Sequence, residues 1–312
     1  MAGRNPFTDF KNRYAGEGGK LEILTAEASK EMGKAYQQAY ARLMTLLVVS
    51  KKTVKYGTYA YQSQLLKHVA RELSSLKRDA GKVLNAALKR IAKYATDVAI
   101  ADLEAVGSDL TKAENWHYDY NMKYVQQVFA DSFKHIAAQT DKMAASVKDD
   151  LRNDAMKVFR RAAVEGLTRR QAYQALRGEM LERDPEFSFV DKKGRKIDAS
   201  QYFDMLTKTV MASSWNECYA NTLVNEGQDL VKVSPNGATD ECRRWEGKVL
   251  SLTGATPGYT TVDEARATKE VFHPRCKHRL VAYHKDLEDI FKAVEDGKSD
   301  KEILEPNPKL KR

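Results

Sequence analysis

Apolar positions in the first half of the chain recur every three or four residues, with polar and charged residues between them. That period marks helices that bury one face. Ala35, Ala39, Leu43, Leu46 and Leu47 define a first helix over about Leu21–Thr53, punctuated by Gly57. The segment Tyr59–Val106 is the most regular, with Leu66, Val69, Leu73, Leu76, Ala80, Val83 and Ala87 alternately three and four apart. A further four-step to Ile91 follows, and then Tyr94 and Val98. This spacing predicts a heptad seam with one phase adjustment, on a helix on the order of 70 Å long. Gly107 and Ser108 break it, and a polar connector holds Trp116 and His117. Over Asp119–Glu165 a second line runs through Val125, Phe129, Phe133, Ile136, Met143, Val147, Leu151, Val158 and Ala162. Two long helices joined by a short connector predict an antiparallel helical hairpin. No internal repeat stands out.

Beyond Gly166 the texture changes. Thr168 and Gln171 form a capping box that starts a short helix to about Met180. The run Phe187–Val190 and the pair Lys196-Ile197 read as a hairpin turning at Gly194. Asp198, with Gln201, caps a helix over Gln201–Glu226 that Gly227 stops. Leu230–Ser234 and Val249–Leu252 read as strands, and a last helix runs from Lys285 to about Glu295 before a Lys/Pro-rich end. The predicted fold class is mainly α: a long antiparallel helical hairpin followed by a small α+β C-terminal module with a Cys/His cluster. The boundaries are a flexible arm over 1–19, an extended helical domain over 20–165, the α+β module over 166–284, and a helix with a disordered tail over 285–312.

Composition adds charge. The 312 residues carry a net charge of +9, a balance that favours acidic partners such as nucleic acid, or serves solubility alone. It is concentrated on the second helix, where Lys67, Arg71, Lys77, Arg78, Lys82, Lys89, Arg90 and Lys93 face only Glu72 and Asp79 between Leu65 and Ala95. These eight are the candidate contacts to nucleic acid or to an acidic protein. Such a face touches phosphates without reading sequence, meets an acidic protein, or is simply solvated. Tyr118, Tyr120 and Tyr124, near the hairpin turn, cap it or form a docking tip. The N-terminal residues have no signal-peptide shape, and the most apolar early run, Leu43–Val49, is far short of a membrane helix. A soluble protein made in a reducing compartment is expected.

The chemistry gathers in the last quarter. Two of the three cysteines, Cys242 and Cys276, lie there with His273, His278 and His284. Cys242, His273, Cys276 and His278 are donors that zinc takes tetrahedrally, although one cysteine per knot is not finger spacing. Three other readings stay open. The cysteines and His273 form a buried latch, Cys242 and Cys276 form a disulfide, or a thiol or metal with Glu241 or Glu246 performs catalysis. His284 reads as a surface residue.

Three ordered motifs carry a resemblance: Leu230–Ser234; Asp240-x-Cys242 with Trp245, Glu246, Gly247 and Lys248; and Phe272-His273-Pro274-x-Cys276-x-His278. Their order resembles the phage minor capsid protein 2 family and is similar to the Mu F-type head morphogenesis proteins, over about residues 166–284. In many members the last motif has a second cysteine where this chain has His278. That substitution keeps a candidate metal ligand. The resemblance implies a non-enzymatic minor structural protein of the phage head, sited at the portal vertex of the virion and in the host cytoplasm during assembly. It implies the portal protein as partner, other head proteins beside it, and genomic DNA touched through its backbone. A metal-dependent nuclease or hydrolase and a sequence-independent DNA-binding protein are the alternatives. No cofactor is fixed by the motifs, and zinc is the candidate.

Overall fold

The computed structural model describes residues 19–48, 59–105, 108–183, 188–190, 195–284 and 296. The expected arm, the hairpin tip at Gly194 and the helix from Lys285 lie outside these residues. Among the described residues four helices come first: α1 (Lys20–Val48), α2 (Tyr59–Ala105), α3 (Glu114–Glu165) and α4 (Arg169–Arg183). The strands β1 (Ser188–Val190) and β2 (Lys196–Asp198) follow, then helix α5 (Ala199–Asn225) and strand β3 (Leu230–Val233). A 3-10 turn (Glu241–Arg244), β4 (Val249–Ser251), α6 (Val262–Ala267) and β5 (Leu280–Ala282) complete the described elements. No described helix is long and apolar enough to cross a membrane.

The residues form two compact units, each built from separate stretches of sequence. One contains Glu27–Asn85 and Phe129–Thr207; the other contains the chain up to Ala26, Ala86–Val128 and everything from Lys208 onward.

In the unit containing Glu27–Asn85, α2 and α3 run antiparallel. Lys77 pairs with Asp141 at 2.7 Å, whereas Gly81, further along α2, faces Phe133, further back on α3. A Cβ at Gly81 would lie 2.6 Å from Phe133 Cε2, so the small residue sets how closely the helices approach. Gly81→Ala gains about 1 kcal/mol of helix propensity and incurs about 1–3 kcal/mol of overpacking. A net loss of about 1 kcal/mol is expected, and in a Phe133→Ala background the same change becomes stabilising. Urea denaturation of the four proteins of that cycle measures it. In the same unit Arg42 Nε meets Glu72 at 2.6 Å, and Tyr36 packs against Phe203 of α5 with ring centroids 6.2 Å apart.

The burial pattern replaces the expected heptad seam. On α2 the buried row is Val69, Leu73, Leu76, then Ala80, Leu84, Ala87, then Ile91, Ala95, Val98 and finally Asp102. It recurs every eleven residues, close to three helical turns, and buries Leu84 where the heptad would bury Val83. On α3 the row is Ser132, Ile136, Thr140, then Met143, Val147, Leu151, then Asp154, Val158, Ala162, again with a period of eleven. Three of those nine positions are polar. Phe129 and Phe133, expected on the seam, are only half-buried.

The unit from Lys208 onward holds the three-stranded sheet β4-β3-β5, antiparallel throughout. Val231 is opposite Leu250 on one side and Ala282 on the other. α5 lies against this sheet through Tyr219, whose hydroxyl accepts from Ala282 N at 2.9 Å and donates to Asp102 at 2.7 Å. Trp215 stacks on Tyr219, with centroids 4.9 Å apart. The antiparallel relation of α2 and α3 recurs here, where the Asn121 amide of α3 donates to Thr96 of α2 at 2.8 Å. The same amide reaches Cys218 O and Thr222 Oγ1 of α5 at 3.0 Å each. Trp116 and His117 are not in a connector: α3 begins at Glu114. Its start is fixed from a distance by Glu226, which accepts from the Thr111 and Lys112 backbone and from His117 Nε2 at 2.8 Å.

Candidate functional site: the Cys/His cluster and a basic helix face

Two local structures bring the cluster together. Asp240 caps the 3-10 turn, its Oδ1 accepting from Cys242 N at 3.1 Å, and this turns the Cys242 thiol inward. The following Trp245 is buried, its Nε1 donating to Glu270 at 2.9 Å. Gly247 has φ 76°, a left-handed backbone that glycine tolerates without strain, and its N–H reaches Val233 O at 3.0 Å. The second structure is the turn His273-Pro274-Arg275-Cys276, closed by Cys276 N to His273 O at 2.9 Å. Phe272, just before the turn, and Arg275, within it, have φ of 56° and 66°, an uncommon conformation for non-glycine residues and one that stores strain. After the turn, Asn216 of α5 pins the chain: it donates to His278 O at 3.2 Å and accepts from Leu280 N at 2.9 Å.

Cys242 Sγ, His273 Nε2 and Cys276 Sγ consequently lie within 4.8 Å of one another. Cys242 Sγ is 2.8 Å from His273 Nε2 and 3.8 Å from Cys276 Sγ. His278, 3% exposed, approaches from the other side with Nδ1 3.4 Å from Cys276 Sγ. Both sulfurs are free thiols, and their separation is well beyond the roughly 2.05 Å of a disulfide. The far nitrogen of each imidazole is also engaged: His273 Nδ1 with Pro274 O at 2.9 Å, His278 Nε2 with Glu246 Oε1 at 3.1 Å. The same Glu246 oxygen accepts from Asn236 N at 2.7 Å and Ala238 N at 2.9 Å, so one carboxylate ties the β3–β4 connection to the cluster.

The electrostatics are asymmetric. Burial and the neighbouring Cys276 sulfur push the Cys242 thiol up. Burial also raises Cys276, but its hydrogen bond and charge interaction with His278 outweigh that and bring it below the usual thiol value. Burial lowers His278, and the Cys276 and Glu246 partners more than restore it, leaving its pKa raised. A cleft of about 450 Å³ opens onto the cluster, lined by His273, Cys276 and His278 together with Tyr124, Glu217 and Arg266. His284 is exposed and lies outside the cluster.

The eight basic candidates are all on α2. Lys67, Arg71, Arg78, Lys82, Lys89, Arg90 and Lys93 are exposed. Lys77 is set apart, with its side chain 26% exposed and bonded to Asp141. At about 100° per residue, Lys67, Arg71, Arg78 and Lys82 fall within about 60° of one another. Neither acid of the segment shares that face. Glu72 turns to Arg42, and Asp79 accepts from Ser75 at 3.5 Å. Near the hairpin turn Trp116 and Tyr120 stack 5.3 Å apart while 40% and 44% exposed, and Tyr118 bonds to Asp97.

The donors stand out in the sequence, whereas Asn216 and Glu270, which hold the segments around them, and Asp229, which organises the loop after β4, do not. Asp229, just before β3, receives five hydrogen bonds from Ser251, Thr253 and Thr256, the shortest at 2.6 Å. No single motif marks it, since its donors lie more than twenty residues downstream.

The described residues are mainly helical, with a small antiparallel sheet and a Cys/His cluster in the C-terminal part. Residues 24–303 match the family model for phage minor capsid protein 2, and the chain belongs to that family. No curated protein and no solved structure matches it.

Proposed function

We propose that this head protein docks at the portal vertex, assists head assembly and DNA packaging or delivery, and does so without catalysing a reaction. The observation that carries this reading is the exposed, carboxylate-free basic face of Lys67, Arg71, Arg78 and Lys82 on α2. A face of one sign on a helix suits an acidic portal surface or the phosphate backbone, and reads neither by sequence.

The test reverses the four charges to Glu and follows retention on purified portal rings and binding to duplex DNA. Retention on the rings is expected to be lost while the circular dichroism of the full chain is unchanged. If DNA is also touched, four phosphate contacts predict a loss of wild-type affinity on the order of 100-fold between 50 and 200 mM salt. Undiminished retention on the rings would remove the basic face from the account.

The cleft beside the cluster favours one other reading, a metal-dependent nuclease or hydrolase. Cleavage of DNA by zinc-loaded protein, abolished by Cys276→Ala, would establish it; no cleavage is expected.

A further inference from the structure

We infer that Cys242, His273, Cys276 and His278 form a closed, structural zinc site. This goes beyond family membership and is independent of portal docking.

The distances carry the first part of the argument. Zinc binds thiolate sulfur at about 2.3 Å and imidazole nitrogen at about 2.0–2.1 Å, so tetrahedral geometry sets sulfur–sulfur edges near 3.8 Å and sulfur–nitrogen edges near 3.5 Å. Cys242 Sγ and Cys276 Sγ are 3.8 Å apart, and Cys276 Sγ is 3.4 Å from His278 Nδ1. Two adjustments complete the tetrahedron: the Cys242–His273 edge, at 2.8 Å, opens, and His278, outside the three donors that lie within 4.8 Å of one another, closes on Cys242 and His273. His273 sits at the edge of the cluster, its side chain 29% exposed, on a turn already strained at Phe272 before it and Arg275 within it.

The second part is the protonation pattern. A backbone carbonyl only accepts, so the contact to Pro274 O places the His273 proton on Nδ1 and leaves the Nε2 lone pair facing Cys242. Glu246, a carboxylate, places the His278 proton on Nε2 and turns the Nδ1 lone pair toward Cys276. Both imidazoles are thus held in the tautomer a metal needs by the carbonyl and carboxylate partners that zinc-bound histidines commonly have. Asp240 Oδ2 is 3.6 Å from His273 Nε2, but its other oxygen caps Cys242 N. That leaves His278, the more buried side chain, as the fourth donor.

The third part is need. The sheet of this unit has strands of three or four residues and α6 has six, so the apolar core around the cluster is small. A metal that ties Cys242 to the 273–278 turn closes a long loop and supplies stability that such a core lacks. Two thiolates and two imidazoles select zinc over magnesium, calcium or manganese. On binding, Zn²⁺ displaces both thiol protons to solvent, and the site with its two thiolates is neutral. With four protein donors no coordination position remains for substrate, so the site is structural.

The test uses the untagged full chain, reduced and purified without chelator. Stoichiometric zinc by elemental analysis is expected. Exchange into Co²⁺ should give the intense visible d–d bands of a tetrahedral ion and a thiolate-to-cobalt charge-transfer band. Glu246→Gln should weaken zinc binding by about 10–100-fold and leave the cobalt bands in place. His278→Ala should shift those bands as one nitrogen donor is lost. A folded, reduced wild-type chain without zinc, whose cobalt spectrum is that of the hydrated ion, would overturn the proposal. It would leave Cys242 and Cys276 as thiol donors to His273 and His278 in a metal-free latch. Cobalt bands unaltered by His278→Ala would overturn the assignment of the fourth ligand.

Discussion

Tyr219→Phe is expected to destabilise the unit from Lys208 onward by about 2–4 kcal/mol, although it removes a single oxygen atom. Tyr219 is fully buried, and its ring, stacked on Trp215, is kept by phenylalanine, so no cavity of consequence is created. What is lost is the hydroxyl that joins three elements: it donates to Asp102 of α2 and accepts from Ala282 of β5. The Ala282 N–H then has no acceptor in a buried strand, and the Asp102 carboxylate loses this donor in a site with 0% exposure. Desolvated polar groups make such losses larger than the modest net value of one hydrogen bond. Hydrogen exchange at Ala282, together with urea denaturation followed by the fluorescence of the three tryptophans, all in this unit, measures it. A change below about 0.5 kcal/mol would mean that water replaces the hydroxyl.

Asp229→Asn is expected to cost about 2–3 kcal/mol at neutral pH, and the penalty depends on acidity. Burial raises the Asp229 pKa, but the hydrogen bonds from Thr253, Thr256 and Ser251 outweigh it and hold the carboxyl well below the usual range. A group whose folded pKa is depressed contributes stability above its unfolded value, about 3.9, and loses it as pH falls through the folded value. The gap between wild type and Asp229→Asn should therefore be full above about pH 5 and narrow progressively below about pH 4. The amide keeps one acceptor oxygen but turns two N–H donors toward groups that are themselves donors. A penalty independent of pH would assign the effect to packing.

The helices were legible in the sequence because the apolar period survives in most of their core positions. The α4 capping box is present as read, Gln171 Oε1 accepting from Thr168 N at 2.8 Å, and Asp198 caps α5 through Ser200 N at 2.6 Å. The eleven-residue period was hidden for a physical reason. Ser132, Thr140 and Asp154 occupy core positions of α3, and Asp102 does so on α2, so hydrophobicity alone breaks the row. Thr140 is tolerated there because its hydroxyl donates back to Ile136 O at 2.8 Å, and Asp154 because it pairs with Arg183. Phe129 and Phe133 drew attention to the wrong face for the converse reason, as half-buried apolar residues flanking the seam.

In the C-terminal part, β3 and β4 were read from their alternation, whereas β5 was not. Leu280–Ala282 is three residues long, buried on every position, and follows directly on the Cys/His motif, which gives no strand period to find. The four donors were legible because Cys and His are rare in this chain, while their convergence was not. It depends on Asn216, more than sixty residues before His278, and on two left-handed residues, Phe272 just before the 273–276 turn and Arg275 within it. The basic face was legible as a charge surplus. That Lys77 is drawn off to Asp141 while Lys67, Arg71, Arg78 and Lys82 stay exposed on one side required the helix pairing.

The placement of this protein in the head is tested most directly by its copy number in purified particles of the cognate phage. Quantitative mass spectrometry of procapsids and mature virions, assembled with and without portal, gives that number. The account predicts a low copy number in particles that contain portal and none in portal-less shells. A copy number that scales with the shell protein, or absence from both particle types, would contradict it.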